Sequence, residues 1–187
     1  NLIYQGNFGS DLHSYMAGMS VVGDRYLQEL KGIQSEINEV VSGSYFQYTY
    51  NLHNHLSVIA GIRADYSSLH GLFFTPRIHF KSNLNEWLIF RASAGKGYRT
   101  AIPMAENTHL MASSRTILID PDLRQEEAYN FGGNISAFIP VGERELNISV
   151  DYYRTQFLSQ VVRDLDSDVH AIRFMNLEGP SYSNSFQ

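Results

Sequence analysis

The chain has 187 residues, a formal net charge of -5, a mean hydropathy of -0.24 and no cysteine. That length suits one domain with a sizeable core, and the lack of cysteine excludes a disulfide scaffold or a thiolate metal site. An acidic balance with scattered Lys and Arg argues against a nucleic-acid partner, and no run reaches the roughly 18 apolar residues of a spanning helix. Spanning strands are not excluded, because alternating lipid-facing and lumen-facing residues average to a near-neutral hydropathy. Twelve Tyr and eleven Phe beside one Trp suit β structure and interfacial girdles. The chain opens on Asn1, without Met or a basic-then-apolar leader, so a mature or truncated product is expected.

Taken in order, the chain repeats a period of two. Leu2, Tyr4 and Phe8 share a parity against Ile3, Gln5 and Asn7, and Gly9-Ser10-Asp11 supplies a turn. Tyr15, Ala17, Met19 and Val21 then oppose Ser14, Gly18 and Ser20, whereas residues 23–38, with Lys31-Gly32 and a Glu at 36 and 39, are polar and read as a loop. Phe46, Tyr48 and Tyr50 alternate with Tyr45, Gln47 and Thr49 before a break at residues 51–54. The clearest strand follows, with Leu56, Val58, Ala60, Ile62, Ala64 and Tyr66 on one face and Ser57, Gly61, Arg63, Asp65 and Ser67 on the other. Phe74, Ile78 and Phe80 alternate with Thr75, Arg77, His79 and Lys81, and Pro76, which has no ladder donor, implies a bulge or a local edge.

After a turn at residues 82–85, Leu88, Phe90, Ala92 and Ala94 oppose Arg91 and Ser93, with Ile89 the exception on the polar side. A long polar excursion leads to Tyr129, Phe131, Ile135, Ala137 and Ile139 against Asn130, Gly132, Asn134 and Ser136. Residues 140–143 turn the chain, Leu146, Ile148, Val150 and Tyr152 oppose Asn147, Ser149, Asp151 and Tyr153, and residues 170–186 are less regular. This makes about nine strands. Connections at 9–11, 51–54, 82–85 and 140–143 are tight, and those at 23–38, 96–124, 67–72 and 163–169 are longer. Short turns on one rim and long loops on the other describe an outer-membrane barrel; a soluble sandwich has no reason to sort them.

Chemical motifs are few. Of seven His, His53 and His55 flank a turn and His79 sits alone, so no metal site is expected. Gly95-Lys96-Gly97 lacks the spacing of a phosphate loop. Adjacent Glu126 and Glu127 point to opposite faces of a strand, so they do not cooperate as an acid pair; Asp120-Pro121-Asp122 is a turn, and Ser113-Ser114 lacks a nucleophile elbow. No enzyme and no cofactor are expected. Arg63, Arg77, Lys81 and Arg91 all fall on the polar parity, where they would line a lumen, pairing with acidic groups or helping a substrate pass.

Phe90-Arg91-Ala92-Ser93, Gly97-Tyr98-Arg99-Thr100-Ala101 with Pro103, and Leu123-Arg124-Gln125-Glu126 followed by Tyr129-Asn130-Phe131-Gly132 resemble the barrel of TonB-dependent outer-membrane receptors. Arg63-Ala64-Asp65-Tyr66, Pro76-Arg77-Ile78-His79-Phe80, Asp151-Tyr152-Tyr153-Arg154-Thr155 and Asn176-Leu177-Glu178-Gly179 add to the likeness. The resemblance implies an all-β, antiparallel up-and-down meander over residues 1–187, part of a transmembrane barrel of about 22 strands filled by a plug. Nine strands would leave two unpaired edges, so a fragment without plug or remaining strands is expected, unable to close or transport alone.

It further implies a multi-pass protein of a Gram-negative outer membrane, with membrane lipid, its own plug and a TonB-type coupling protein as partners. The cargo would be a scarce nutrient, namely siderophore-iron, cobalamin or a glycan. Ligand contact is expected on the loop at 96–124, at Tyr98, Arg99, Glu106, Asn107, His109 and Arg115, with Met111 between them. The rivals are a passive porin-like barrel and a soluble β-sandwich carbohydrate-binding module. The sandwich would bury Leu56, Val58, Ile62, Ile135, Ile148 and Val150 against a second sheet.

Overall fold

A computed structural model describes residues 1–30 and 33–187, most of them in strands. These are β1 (Leu2–Gly9), β2 (His13–Leu30), β3 (Ile33–Leu52), β4 (Leu56–Ser67), β5 (Gly71–Asn83) and β6 (Leu88–Arg99). A short helix α1 (Pro103–Glu106) and a 3-10 turn (Thr108–Ala112) lead into β7 (Thr116–Ile119), then β8 (Glu126–Val141), β9 (Arg144–Ser159), β10 (Val161–Asp164), β11 (Ala171–Asn176) and β12 (Ser181–Phe186). Nine of these form one antiparallel sheet in the order β1-β2-β3-β4-β5-β6-β8-β9-β12, the up-and-down meander that the alternation implies. The other three form a separate small sheet, β10-β11-β7, in which β11 runs parallel to β7.

Register sorts the wall into two faces. Phe46 lies opposite Ile62, Ile78 opposite Ala94, Ala94 opposite Phe131, and Ile135 opposite Val150, so the apolar parities of successive strands form continuous rows. These rows are bare: Ile62 is 51% exposed and Val150 58%. Among the described residues no second sheet packs on them, which removes the two-layer sandwich. The opposite face is polar yet crowded, with Ser20, Glu39, Asp65, Ser67 and Ser136 all buried. A sheet curled toward its polar side crowds those side chains and splays the apolar ones, the geometry of a barrel wall. Exposed aliphatic rows over a backbone paired strand to strand suit hydrocarbon, where every N–H and C=O needs an internal partner.

Connections separate by end. Residues 10–12, 53–55, 84–87 and 142–143 join strands at one end, and the excursions at 100–125 and 160–180 lie at the other. Two expectations are corrected at that second end. Residues 23–38 are not a loop, because β2 and β3 stay paired from His13↔Tyr50 to Leu30↔Ile33; the Lys31-Gly32 part of that expectation lies outside the described residues. The ribbon carries polar side chains on both faces and so shows no alternation, but cross-strand pairs hold it, such as Arg25 with Glu36 at 2.9 Å. The connection after β4 is also short, leaving only residues 68–70. There the fully buried Ser67 hydroxyl donates to Glu39 and accepts the N–H groups of Leu69 and His70, closing a tight turn. The less regular residues 170–186 contain two strands, β11 and β12.

Buried apolar side chains gather elsewhere. Met104, Ile117, Ala171, Ile172 and Phe174 are the buried hydrophobics among the described residues, and all lie in the two excursions. Ile117, Ile172 and Phe174 pack together with Leu110, Ile119, Val161 and Leu165 around them. Two separate loops thereby become one cap with its own small core, each large side chain contributing about 1.5–3 kcal/mol by burial.

Candidate functional site

The cap brings together part of the loop set. Arg99, the last residue of β6, pairs in the ladder with Glu126, the first of β8, and its guanidinium donates to that carboxylate. The same guanidinium lies 3.2 Å from Glu106 of α1. Glu126 also accepts the N–H of Val161 at 3.0 Å, which fastens the start of β10 to the wall. Asn107 donates to the Pro103 carbonyl and accepts from Arg163 at 3.1 Å, so the second excursion reaches the first. Glu106, Asn107 and Arg163 border a cavity of about 350 Å³ that Ala101, Pro103, Gln160 and Phe174 also line. One guanidinium, one carboxylate and two side-chain amides around this recess present both donors and acceptors to a polar ligand.

The other loop residues stand apart. Arg115 donates to the Leu165 carbonyl at 3.2 Å and ties the loops rather than entering the cavity. His109 is exposed on the 3-10 turn, and its side chain has no hydrogen-bond or ionic partner among the described residues. Tyr98 belongs to the wall, its ring 4.7 Å from that of Phe73. Arg163, Gln160 and Glu126 are the cap residues that sequence reasoning missed. Their signal is weak, because residues 160–163 are carried toward residues 101–107 by the pairing of β10 with β11 and of β11 with β7, which local spacing does not encode. Farther out, the Asp164 carboxyl is held below the ordinary carboxylate range by the Ser167 hydroxyl and then by the N–H groups of Ser167 and Asp166.

The four cations Arg63, Arg77, Lys81 and Arg91 share the polar face of the wall, as their register shows: Arg63 opposes Thr75, Arg77 opposes Gly61, and Lys81 opposes both Ser57 and Arg91. Their partners differ. Arg63 is locked by Asp65, 2.6 Å away, and by the Ser20 hydroxyl, with the Tyr45 ring 5.9 Å off. The Asp65 carboxylate occupies the space a Cβ would fill at Gly43, so a side chain there must displace the Arg63 to Asp65 pair. Among the described residues Arg77 donates only to the neutral Gln47. Arg91 donates to Asn134 and Ser136, and Asn134 passes the contact on to Asp151 at 2.9 Å.

Lys81 has no hydrogen-bond or ionic partner among the described residues, and it faces Arg91 directly, an unfavourable like-charge pair. It borders two open cavities on this face, one of about 750 Å³ with His53 and His55 near the tight turns, and one of about 570 Å³ beside Arg91 and Tyr153. Arg77, Lys81 and Arg91 thus form a positive stripe without an ion pair among the described residues, while Asp11 and Asp151 line the same two cavities. Among the described residues no His, Asp and Glu cluster suited to holding a metal is formed.

The family model described as TonB dependent receptor-like, beta-barrel matches residues 2–184. None of the curated proteins compared by sequence matches. Among solved structures, the siderophore receptor PirA from Pseudomonas aeruginosa superposes with a TM-score of 0.73 at 12% identity, over 97% of this chain and 37% of that one. The ferric enterobactin receptor PfeA from Pseudomonas aeruginosa gives 0.72 at 12% identity, over 98% and 31%. The FrpB iron transporter from Neisseria meningitidis gives 0.60 at 12% identity, over 96% and 31%. At such identity the superpositions establish the fold, and the chain spans about a third of the length of these proteins.

Proposed function

Because the chain belongs to the family of TonB-dependent receptor-like β-barrels, we propose that it is part of the wall of a transporter importing an anionic iron complex of the siderophore type. Members of this family are transport receptors of the Gram-negative outer membrane, not enzymes. In this reading the polar face lines the lumen and meets the receptor's own plug, a TonB-type protein supplies energy, and the cap with Glu106, Asn107 and Arg163 forms part of the outer mouth.

The observation that carries the cargo class is the stripe of Arg77, Lys81 and Arg91, a cationic surface lacking a direct carboxylate partner among the described residues. Such a surface attracts anions along a channel. The proteins it superposes on are a siderophore receptor, a ferric enterobactin receptor and an iron transporter. A neutral cargo such as a glycan has no use for this stripe.

Uptake of labelled iron complexes by iron-starved cells carrying the full-length receptor tests the reading. Replacing Arg77, Lys81 and Arg91 together by Gln should lower uptake about tenfold at unchanged surface level, with the largest loss for the most anionic complex. Unchanged uptake would remove the anionic-cargo assignment. Uptake that persists without the coupling protein would favour a passive barrel.

A further inference from the structure

The ladder between β5 and β6 is incomplete. It runs from Asn83↔Ile89 to Arg77↔Gly95 and stops, although β5 stays paired with β4 up to Gly71↔Ser67 and β6 with β8 up to Arg99↔Glu126. Pro76 has no N–H with which to continue the ladder. Beyond it the strands part, and a groove of about 340 Å³ opens on the apolar face between Pro76, Ile78, Ala94, Lys96, Tyr129 and Phe131. Lys96 also borders a cavity shared with Arg63, Thr75 and Arg77 on the polar side, so it stands in the seam itself.

A stretch of unpaired backbone is not tolerated in hydrocarbon. The seam therefore belongs at headgroup depth on the long-connection side, the level that Tyr rings and a Lys favour. The Lys96 ammonium lies 4.8 Å from the Tyr98 ring and 5.7 Å from the Tyr129 ring and pairs with Glu127. Glu127 and the Tyr98 hydroxyl engage two of the three ammonium donors, which leaves one for another acceptor. On the same face Arg154 lies opposite Phe131, with its guanidinium 4.6 Å from the Tyr182 ring and only the neutral Gln156 as side-chain acceptor. Lys96 and Arg154 are two inter-strand spacings apart and offset by two residues along the strand, roughly 12 Å at the backbone. Two cations face one carboxylate above a groove floored by Ala94.

We propose that this seam is the seat of a single phosphorylated, acylated lipid from the surrounding leaflet. One acyl chain lies in the groove over Ala94, and the phosphate sits between Lys96 and Arg154. The seat is independent of which nutrient the receptor carries.

Native mass spectrometry of the full-length receptor in non-ionic detergent, titrated with diphosphoryl lipid A or with its dephosphorylated form, tests the proposal. One lipid should be retained per receptor, and dephosphorylation should weaken retention at least tenfold. Each cation near an anionic headgroup contributes roughly a fivefold factor, so K96Q with R154Q should weaken binding about 25-fold. K96R with R154K should restore it, and Ala94→Phe should weaken both lipid forms by obstructing the groove. Equal retention of the two lipid forms by the unaltered receptor would overturn the proposal even if no variant folded. Full retention by K96Q/R154Q would do the same.

Discussion

The wall and the cap bury opposite kinds of side chain. In the wall the buried groups are Ser20, Glu39, Asp65, Ser67 and Ser136 while Ile62 and Val150 stand bare; in the cap Ile172 and Phe174 are each 1% exposed. The same free-energy rule governs both regions, but the surroundings differ. Apolar rows on the wall suit lipid and need no protein cover, whereas the cap lies past the strand ends and must build its own dry interior. Burial in a barrel segment therefore marks polar contacts and crowding, and an apolar core marks the part that leaves the membrane.

Four substitutions or conditions would break or sharpen this contrast. Phe174→Ala removes the centre of the cap core and should cost the cap about 3–5 kcal/mol. Limited proteolysis should then cut within residues 100–125 much faster, with unheated gel mobility of the barrel unchanged. Loss of the barrel band as well would mean that wall and cap are one unit.

Placing Arg at Ile62 on the apolar face should cost about 2–4 kcal/mol near the bilayer midplane, read from denaturant unfolding in vesicles. As a milder probe, Ile62→Cys and Ile78→Cys should resist polar thiol reagents that label Arg63→Cys and Arg77→Cys. Equal labelling at both parities would contradict the division into faces. On the polar face, Gly43→Val sets methyl groups where the Asp65 carboxylate lies. Displacing the Arg63 to Asp65 pair should cost on the order of 1–3 kcal/mol, seen as a lower denaturant midpoint; an unchanged midpoint would show that the pair can shift freely.

The smallest effect is expected at Asp164. Its carboxyl is held low in the folded chain, first by the Ser167 hydroxyl. That stabilisation is present above the unfolded carboxylate pKa of about 3.9 and is lost as pH falls through the lowered folded value. The protection factors of the Ser167 and Asp166 N–H groups against hydrogen exchange, taken relative to the intrinsic rate at each pH, should fall only below about pH 4. Protection already lost near neutral pH would show that Asp164 does not hold the turn.

Legibility followed the surroundings of each segment. Six apolar positions in register from Leu56 to Tyr66 revealed a strand because one side meets lipid and the other a polar interior, and that contrast is written residue by residue. The paired ribbon beyond Gly23 escaped notice because both its sides meet water, which leaves no alternation to read. In the loop set, Arg99, Glu106 and Asn107 were recognisable as a polar group on a long connection, but Arg163 was not. It reaches Asn107 from 56 residues away, through a strand pairing that local pattern does not encode.

From the amino acids alone came the period of two, the four tight turns at one end, the meander and the parity that gathers Arg63, Arg77, Lys81 and Arg91. Each depends on the backbone's alternation, a local property. Tertiary structure decided that two excursions fuse into one cap, that Arg63 is neutralised while Lys81 is not, and that the β5 to β6 ladder ends at Pro76. Those outcomes depend on which distant side chains arrive within a few ångströms of each other, and spacing along a chain does not specify that.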